Sequence, residues 1–102
     1  MSDCVASTTT EVVLTVLQMN GRREVGGDEL KAIAQANDRQ VRAAISTLRR
    51  QGKLIVGNWH GYYFARNASD VYACIGELRR QAQAVLAVAD AMMESAAIVF
   101  EQ

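Results

Sequence analysis

The segment from Asn37 to Gly52, NDRQVRAAISTLRRQG, contains the residues of a complete helix together with both of its ends. Asn37 can cap the first turn, and Gln40 lies three residues further on, where its side chain can return to the cap. Gly52 suits the left-handed conformation that often ends a helix. We therefore predict a helix over residues 38–51. Its apolar residues recur at helical spacing and indicate one buried face: Val41, Ala44, Ile45 and Leu48.

The other side of this predicted helix is basic. It contains Arg39, Arg42, Ala43, Ser46, Arg49 and Arg50. A basic side is typical of a helix that enters a DNA groove, and it also occurs on ordinary surface helices. The segments before and after the helix are needed to choose between these two interpretations.

The first part of the chain predicts a tail followed by a helix. Thr8 and Glu11 have the spacing of a capping box, so we expect a flexible tail over residues 1–8 and a helix after it. Asn20-Gly21 is expected to end this helix. The expected core residues are Val13, Val16 and Leu17, with Val12 as a further candidate.

A second helix is predicted from Asp28 to Ala36, with its apolar face on Leu30, Ile33 and Ala34. Residues 22–25 before it can form one short edge strand. Only a short turn, expected at Ala36-Asn37, separates the second helix from the basic one. Two short helices joined in this way are typical of a helix-turn-helix, although the usual glycine is missing from the turn.

The residues after Gly52 predict a β-hairpin over residues 54–65. Lys53–Val56 is rich in apolar and β-branched residues, and an aromatic segment follows the turn-like Gly57–Gly61. In such a hairpin Tyr62 and Phe64 share one face and Tyr63 lies on the other. One face is expected to close the core, and the sequence leaves open which one.

This order of helices and hairpin resembles the winged helix-turn-helix family of bacterial and phage DNA-binding proteins. The resemblance is carried by GGDELKAIAQAN, DRQVRAAISTLRRQGK and LIVGNWHGYYFAR. The pattern V-R-x-A-I-x-x-L-R-x-x-G before a hairpin ending in G-Y-Y is similar to small phage and prophage regulators. The resemblance covers residues 9–66. It implies a mainly α fold with a small β-hairpin and a function in transcription regulation by sequence-specific binding of duplex DNA.

The resemblance also implies which residues contact DNA. The expected base contacts come from Arg39, Gln40, Arg42, Ala43 and Ser46, although Gln40 is lost to base reading if the cap holds it. The expected phosphate contacts come from Arg49, Arg50 and Lys53. The expected contacts of the hairpin tip, with the DNA backbone or the minor groove, come from Asn58, Trp59 and His60. An exposed tryptophan is also a good anchor for a protein partner, so the alternative is a protein-binding module, such as a phage-encoded inhibitor or adaptor of a host protein complex.

Residues 67–102 predict one long helix that starts near Asp70 with Ser69 or Asn67 as its cap. Its apolar residues alternate by four and three, which is the repeat of a coiled coil. One position of the repeat is occupied by Val71, Leu78, Val85, Met92 and Val99, and the other by Ile75, Ala82, Ala89 and Ala96. A second apolar stripe contains Tyr72, Leu86, Met93 and Phe100.

We expect this helix to form a homodimer by coiled-coil pairing with a copy of itself. The sequence does not fix whether the two helices are parallel or antiparallel. The residues expected at the dimer contact are Ile75, Leu78, Ala82, Val85, Ala89, Met92, Ala96 and Val99. The alternatives are a helix that packs entirely on its own domain, and an assembly protein whose main element is this helix.

Charge and cysteine content limit the remaining classes of function. The formal net charge is zero, but residues 21–66 contain nine Lys/Arg against four Asp/Glu, so a basic patch can exist on a neutral chain. Cys4 and Cys74 have neither disulfide-framework nor zinc-ligand spacing, and no nucleophile–base pair or phosphate loop is apparent. We therefore expect no enzyme activity, no metal and no cofactor. The first residues do not form a signal peptide and charges interrupt the C-terminal apolar segment, so we expect no membrane span and a location in the cytoplasm of a bacterial host cell.

Overall fold

The computed structural model describes residues 3–100 and confirms a mainly helical fold with one antiparallel two-stranded hairpin and a long C-terminal helix. The contacts divide the chain into two compact units, one ending at Val71 and the other beginning at Tyr72. In chain order the elements are α1 (Asp3–Met19), α2 (Gly27–Ala34), α3 (Asp38–Arg50), β1 (Ile55–Asn58), β2 (Gly61–Phe64) and α4 (Ala68–Phe100).

Helix α1 begins earlier than the sequence predicted. It starts at Asp3, so Thr8 lies inside the helix and the capping box at Thr8 does not mark its start. The predicted tail over residues 1–8 is therefore wrong from Asp3 onward, and the first two residues lie outside the described part of the chain. The physical reason is that no glycine or proline occurs between Asp3 and Glu11 to stop the helix from extending upstream.

The core of the first unit lies between α1, α2, α3 and the hairpin. Its buried members are Val13, Val16, Leu17, Val25, Leu30, Val41, Ala44, Ile45, Leu48 and Ile55. The buried faces predicted for α1 and α3 are confirmed, with Val12 packed at the edge of the core. Ile33 was predicted to be in the core and is 50% exposed. Helix α2 has only eight residues, and it turns Leu30 and Ala34 inward, one helical turn apart.

The turn between α2 and α3 is made by Gln35, a residue type that gives no sequence signal for a turn. Gln35 adopts the left-handed conformation, with φ 51° and ψ 48°, and takes the role usually played by glycine. Helix α2 therefore ends at Ala34, and the N–H of Ala36 donates to the carbonyl of Lys31 over 3.0 Å. The predicted turn at Ala36-Asn37 is wrong because Gln35 reverses the chain first. A non-glycine residue pays roughly 1–2 kcal/mol for this conformation.

The hairpin has a shorter turn than predicted. Ile55 pairs with Phe64, and Asn58 pairs with Gly61, so the turn consists of Trp59-His60 alone. The strand predicted over residues 22–25 is reduced to one bridging residue, Val25. It exchanges two hydrogen bonds with Tyr62, of 2.8 and 2.9 Å between nitrogen and oxygen.

Both faces of the hairpin are covered, which answers the question that the sequence left open. Ile55 and Phe64 lie on the face that packs against the core. Val56 and Tyr63 face each other on the opposite side, where both are buried. The alternation of side chains along a strand therefore gives this small ribbon two apolar faces.

Helix α4 is capped by Asn67 and runs without interruption to Phe100. The N–H of Asp70 donates to Oδ1 of Asn67 over 2.9 Å, so Asn67 rather than Ser69 is the cap, and the helix begins at Ala68. No residue of Ala68–Phe100 is buried. By length and hydropathy alone α4 is long and apolar enough to cross a membrane, and the same test is passed by helices of proteins that do not enter one.

Candidate nucleic-acid interface

Both ends of α3 are fixed by hydrogen bonds within its own segment. The side chain of Asn37 accepts from the N–H of Gln40, and the side chain of Gln40 accepts from the N–H of Asn37, each over 2.8 Å. At the other end Gly52 has φ +91°, its N–H donates to Arg49, and the N–H of Lys53 donates to Leu48. These two bonds form a Schellman motif. The predicted capping box and glycine stop are confirmed, so local hydrogen bonds mark both ends of α3.

The outward side of α3 is basic and exposed. Its exposed members are Arg39, Gln40, Arg42, Ala43, Ser46 and Arg50, and Lys53 follows the helix in an exposed position. Arg42 forms an ion pair with Asp38, and their spacing of four residues is a sequence signal for such a pair on a helix. Both side chains are more than half exposed, and such pairs contribute about 0–1 kcal/mol. Arg42 can therefore exchange Asp38 for a phosphate or a base at small cost.

Several of the predicted contact residues already have hydrogen-bond partners within the protein, among them Gln40, Arg49 and Asn58. Oε1 of Gln40 is occupied by the cap, and reading adenine with two hydrogen bonds requires that oxygen as well as the amide nitrogen. Arg49 is only partly exposed, and its Nε donates to the carbonyl of Ile55 over 2.8 Å. Arg49 therefore connects α3 to β1 and sets the position of the hairpin relative to the helix.

The hairpin tip presents one isolated aromatic side chain. Trp59 is fully exposed, at 101%. Asn58 accepts from the N–H of His60 over 2.8 Å, which holds the turn in shape. Tyr63 is buried and Tyr62 is partly buried, so the tyrosines do not extend an apolar patch around Trp59.

Arg66 joins three parts of the first unit, and the sequence analysis did not identify it. Its guanidinium contacts Glu24 over 2.8 Å, donates to the carbonyl of Arg22 over 3.2 Å, and lies 4.3 Å from the ring centre of Tyr63. Its backbone N–H donates to the side chain of Asp70 over 2.9 Å. Arg66 therefore links the loop before α2 to the end of the hairpin and the start of α4.

The contact between Arg66 and Glu24 predicts a pH dependence of stability. The Arg66 side chain, followed by hydrogen bonds from the backbone and from Asn58, lowers the pKa of Glu24 from 4.5 to about 2. A lowered pKa stabilises the folded chain fully above the unfolded value, and this contribution is lost as the pH falls from about 4.5 to about 2. We expect Glu24→Gln to unfold at lower urea concentration than the wild type at neutral pH, and the difference to vanish near pH 2.

The matched control for this prediction is Arg66→Gln, which should remove most of the same pH-dependent step. The double variant should then show little further loss, because the two side chains act together. Unfolding is followed by circular dichroism, since the exposed Trp59 is a poor reporter of the core. A Glu24→Gln variant whose stability stays parallel to that of the wild type between pH 2 and 7 would contradict the assignment.

The residues predicted for the dimer contact lie along α4. Leu78, Val85, Met92 and Val99 are exposed, as are the three alanines between them, and Ile75 is partly exposed. Val85 alone leaves 69% of its surface uncovered. The described residues of α4 therefore form one continuous exposed apolar side, and exposed apolar patches of this kind typically mark sites of interaction with proteins or membranes.

Comparison with protein-family models, curated proteins and solved structures finds no match for this chain. Within residues 3–100 no group of three or more His, Cys, Asp or Glu side chains is placed to hold a metal ion. The class of the protein is therefore defined by its architecture: a mainly helical unit with a two-stranded hairpin, followed by a long helix.

Proposed function

We propose that this chain is a sequence-specific duplex-DNA-binding transcriptional regulator of the winged helix-turn-helix kind. It acts as a homodimer in the cytoplasm of a bacterial host, as a phage or prophage protein. The observation that carries the proposal is the exposed basic side of α3, a helix whose two ends are capped by residues of its own segment and whose opposite face is buried in the core.

In this proposal α3 lies in the major groove, which is about 12 Å wide and accepts one helix. Arg39 and Arg42 lie in its first turns, where arginine can bind guanine O6 and N7 with two hydrogen bonds. Arg50 and Lys53 lie at the far end and contact phosphates. The hairpin is the wing, and Trp59 with His60 reaches the DNA backbone or the minor groove.

The proposal predicts that single substitutions on α3 weaken DNA binding. A duplex is first enriched from a random pool by repeated binding to the wild type. Arg39→Ala and Arg42→Ala should then each raise Kd about tenfold, because one good bidentate base contact contributes about 1–3 kcal/mol. The matched control is Arg80→Ala on α4, which removes the same charge and should change Kd less than about twofold.

Fluorescence of Trp59, the only tryptophan of the chain, gives a second readout of wing contact. Its emission should change on titration with the enriched duplex, and Kd should rise with added salt. If Arg39→Ala and Arg42→Ala bind as tightly as the wild type, the assignment of α3 as the recognition helix is wrong.

The second candidate function is a protein-binding module, and the full exposure of Trp59 favours it. A host protein would then bind the tip of the hairpin and the adjacent side of α3. The two functions differ in one measurement, retardation of random duplex DNA at low salt. Failure of the wild type to retard DNA would leave the protein-binding function as the better candidate.

A further inference from the structure

We infer that α4 pairs with α4 of a second copy in the antiparallel direction, with the two-fold axis near Ala87. In this register Ala82 faces Met92 of the second copy, and Ala89 faces Val85 of the second copy. The inference deepens the homodimer part of the proposed function and does not depend on DNA binding. It determines the direction and register of pairing, which the four-and-three spacing alone leaves undefined.

The two positions of the repeat differ in the size of their side chains. The large position of the repeat has Leu78, Val85, Met92 and Val99, while the small position has Ala82, Ala89 and Ala96. In a parallel pair each position faces its own kind, so thin layers of two alanines alternate with thick layers of two large side chains. At any single separation of the two helices, either the alanine layers leave voids or the layers of large side chains are overpacked.

The antiparallel pair removes this conflict, because each alanine then faces a large side chain. The three inner layers combine Ala82 with Met92, Ala89 with Val85, and Ala96 with Leu78. Each of these layers occurs twice, once on either side of the two-fold axis. The outermost layers pair Ile75 with Val99, where the alanine position gives way to isoleucine. All inner layers therefore have similar volume and fit at one helix separation.

The charges of α4 are also unevenly distributed. The second half contains Asp90 and Glu94 and no basic residue. The first half is neutral, since its two arginines are balanced by Asp70 and Glu77, and Glu77 forms an ion pair with Arg80. Parallel pairing would place the two acidic halves side by side, whereas antiparallel pairing places each acidic half beside a neutral one. The repulsion avoided is small because these side chains lie on the outer side of the helix, but it favours the same direction as the packing.

Lipid could also cover the apolar side of α4, since the helix is long enough to cross a membrane. However, Glu77, Arg80, Asp90 and Glu94 lie at the outer positions of the repeat, and a span would place charged groups among lipid chains. Pairing with a second copy buries the apolar side and leaves these four side chains in water.

Disulfide cross-linking of the full chain tests the inference. In a Cys4→Ser, Cys74→Ser background, Ala82→Cys and Met92→Cys are oxidised separately and as an equal mixture, without DNA. In the proposed register, Ala82 of one copy faces Met92 of the other, within the 4.4–6.8 Å between Cα atoms that a disulfide requires. The two Ala82 residues of the dimer are about 15 Å apart along the helix axis, and so are the two Met92 residues. The mixture should form a covalent dimer, and neither variant alone should do so. Gln83→Cys, on the outer side of α4, is the control for random collision.

Three results would overturn the inference. Cross-linking of Ala82→Cys with itself would show a parallel pair. In the second result, the mixture forms no covalent dimer while circular dichroism shows that both variants keep their helix content. That result would show that α4 pairs in another register or that something else covers its apolar side. Sedimentation of the wild type with phosphatidylcholine vesicles would identify lipid as the cover. None of these results depends on DNA binding, and failure of the DNA assay leaves the cross-linking result unaffected.

Discussion

Replacing Gly61 with alanine should lower the free energy of unfolding by about 3 kcal/mol or more. Gly61 has φ +136°, a conformation that side chains disfavour. A Cβ atom there would lie 2.1 Å from the carbonyl oxygen of Val25 and 2.8 Å from Cα of Gly26. Both are backbone atoms, so no side chain can move aside. The added carbon must push Val25 away from Tyr62 and break the two hydrogen bonds that join them.

The control for Gly61→Ala is Gly27→Ala, because Gly27 lies beside Gly26 but has no atom within 4 Å of its Cβ position. This variant should match the wild type to within about 1 kcal/mol. Stability is measured by urea unfolding, and hydrogen exchange of the Val25 and Tyr62 amides gives the local readout. If Gly61→Ala retained protection of those amides and the wild-type midpoint, the close approach at Gly61 would be wrong.

Leu30→Ala should cost about 2–5 kcal/mol, since it leaves a cavity in the core. Leu30 is fully buried and is the only buried residue of α2. Its loss should also loosen the turn at Gln35, which has no glycine to lower the cost of its left-handed conformation. The position of α3 depends on that turn, so the proposed DNA affinity should fall together with stability.

The comparison for Leu30→Ala is Ile33→Ala in the same helix. Ile33 is half exposed, so its truncation should cost less than about 1 kcal/mol. Chemical unfolding of the two variants under one set of conditions gives the difference directly. Equal losses would mean that α2 does not turn Leu30 toward the core, and the described packing would be incorrect.

The parts of the fold that the sequence predicted correctly have local signals. The cap, the buried face and the glycine stop of α3 all lie between Asn37 and Gly52, and the structure confirms each of them. The end of α2 was predicted incorrectly because glutamine carries no signal for the left-handed conformation that Gln35 adopts. The start of α1 was missed because a capping pattern can occur inside a helix that has no breaker before it.

The candidate site was less predictable, because its contacts join distant segments. Arg66 meets Glu24 from 42 residues away, and no local pattern pairs them. Arg49 was predicted to contact phosphate only because it lies on the basic side of the helix. Its hydrogen bond to Ile55 depends on where the hairpin folds back, which periodicity does not determine.

The self-contained ends of α3 have a consequence for how such a protein can diverge. The cap, the buried face and the Schellman motif use one set of positions, while Arg39, Ala43 and Ser46 belong to another and are exposed. Mutations at these three positions change the outer surface at little cost in stability, since surface substitutions typically stay within about 0.5 kcal/mol. The chemistry of this outer surface can therefore change at a few codons, while the positions that maintain the fold stay as they are.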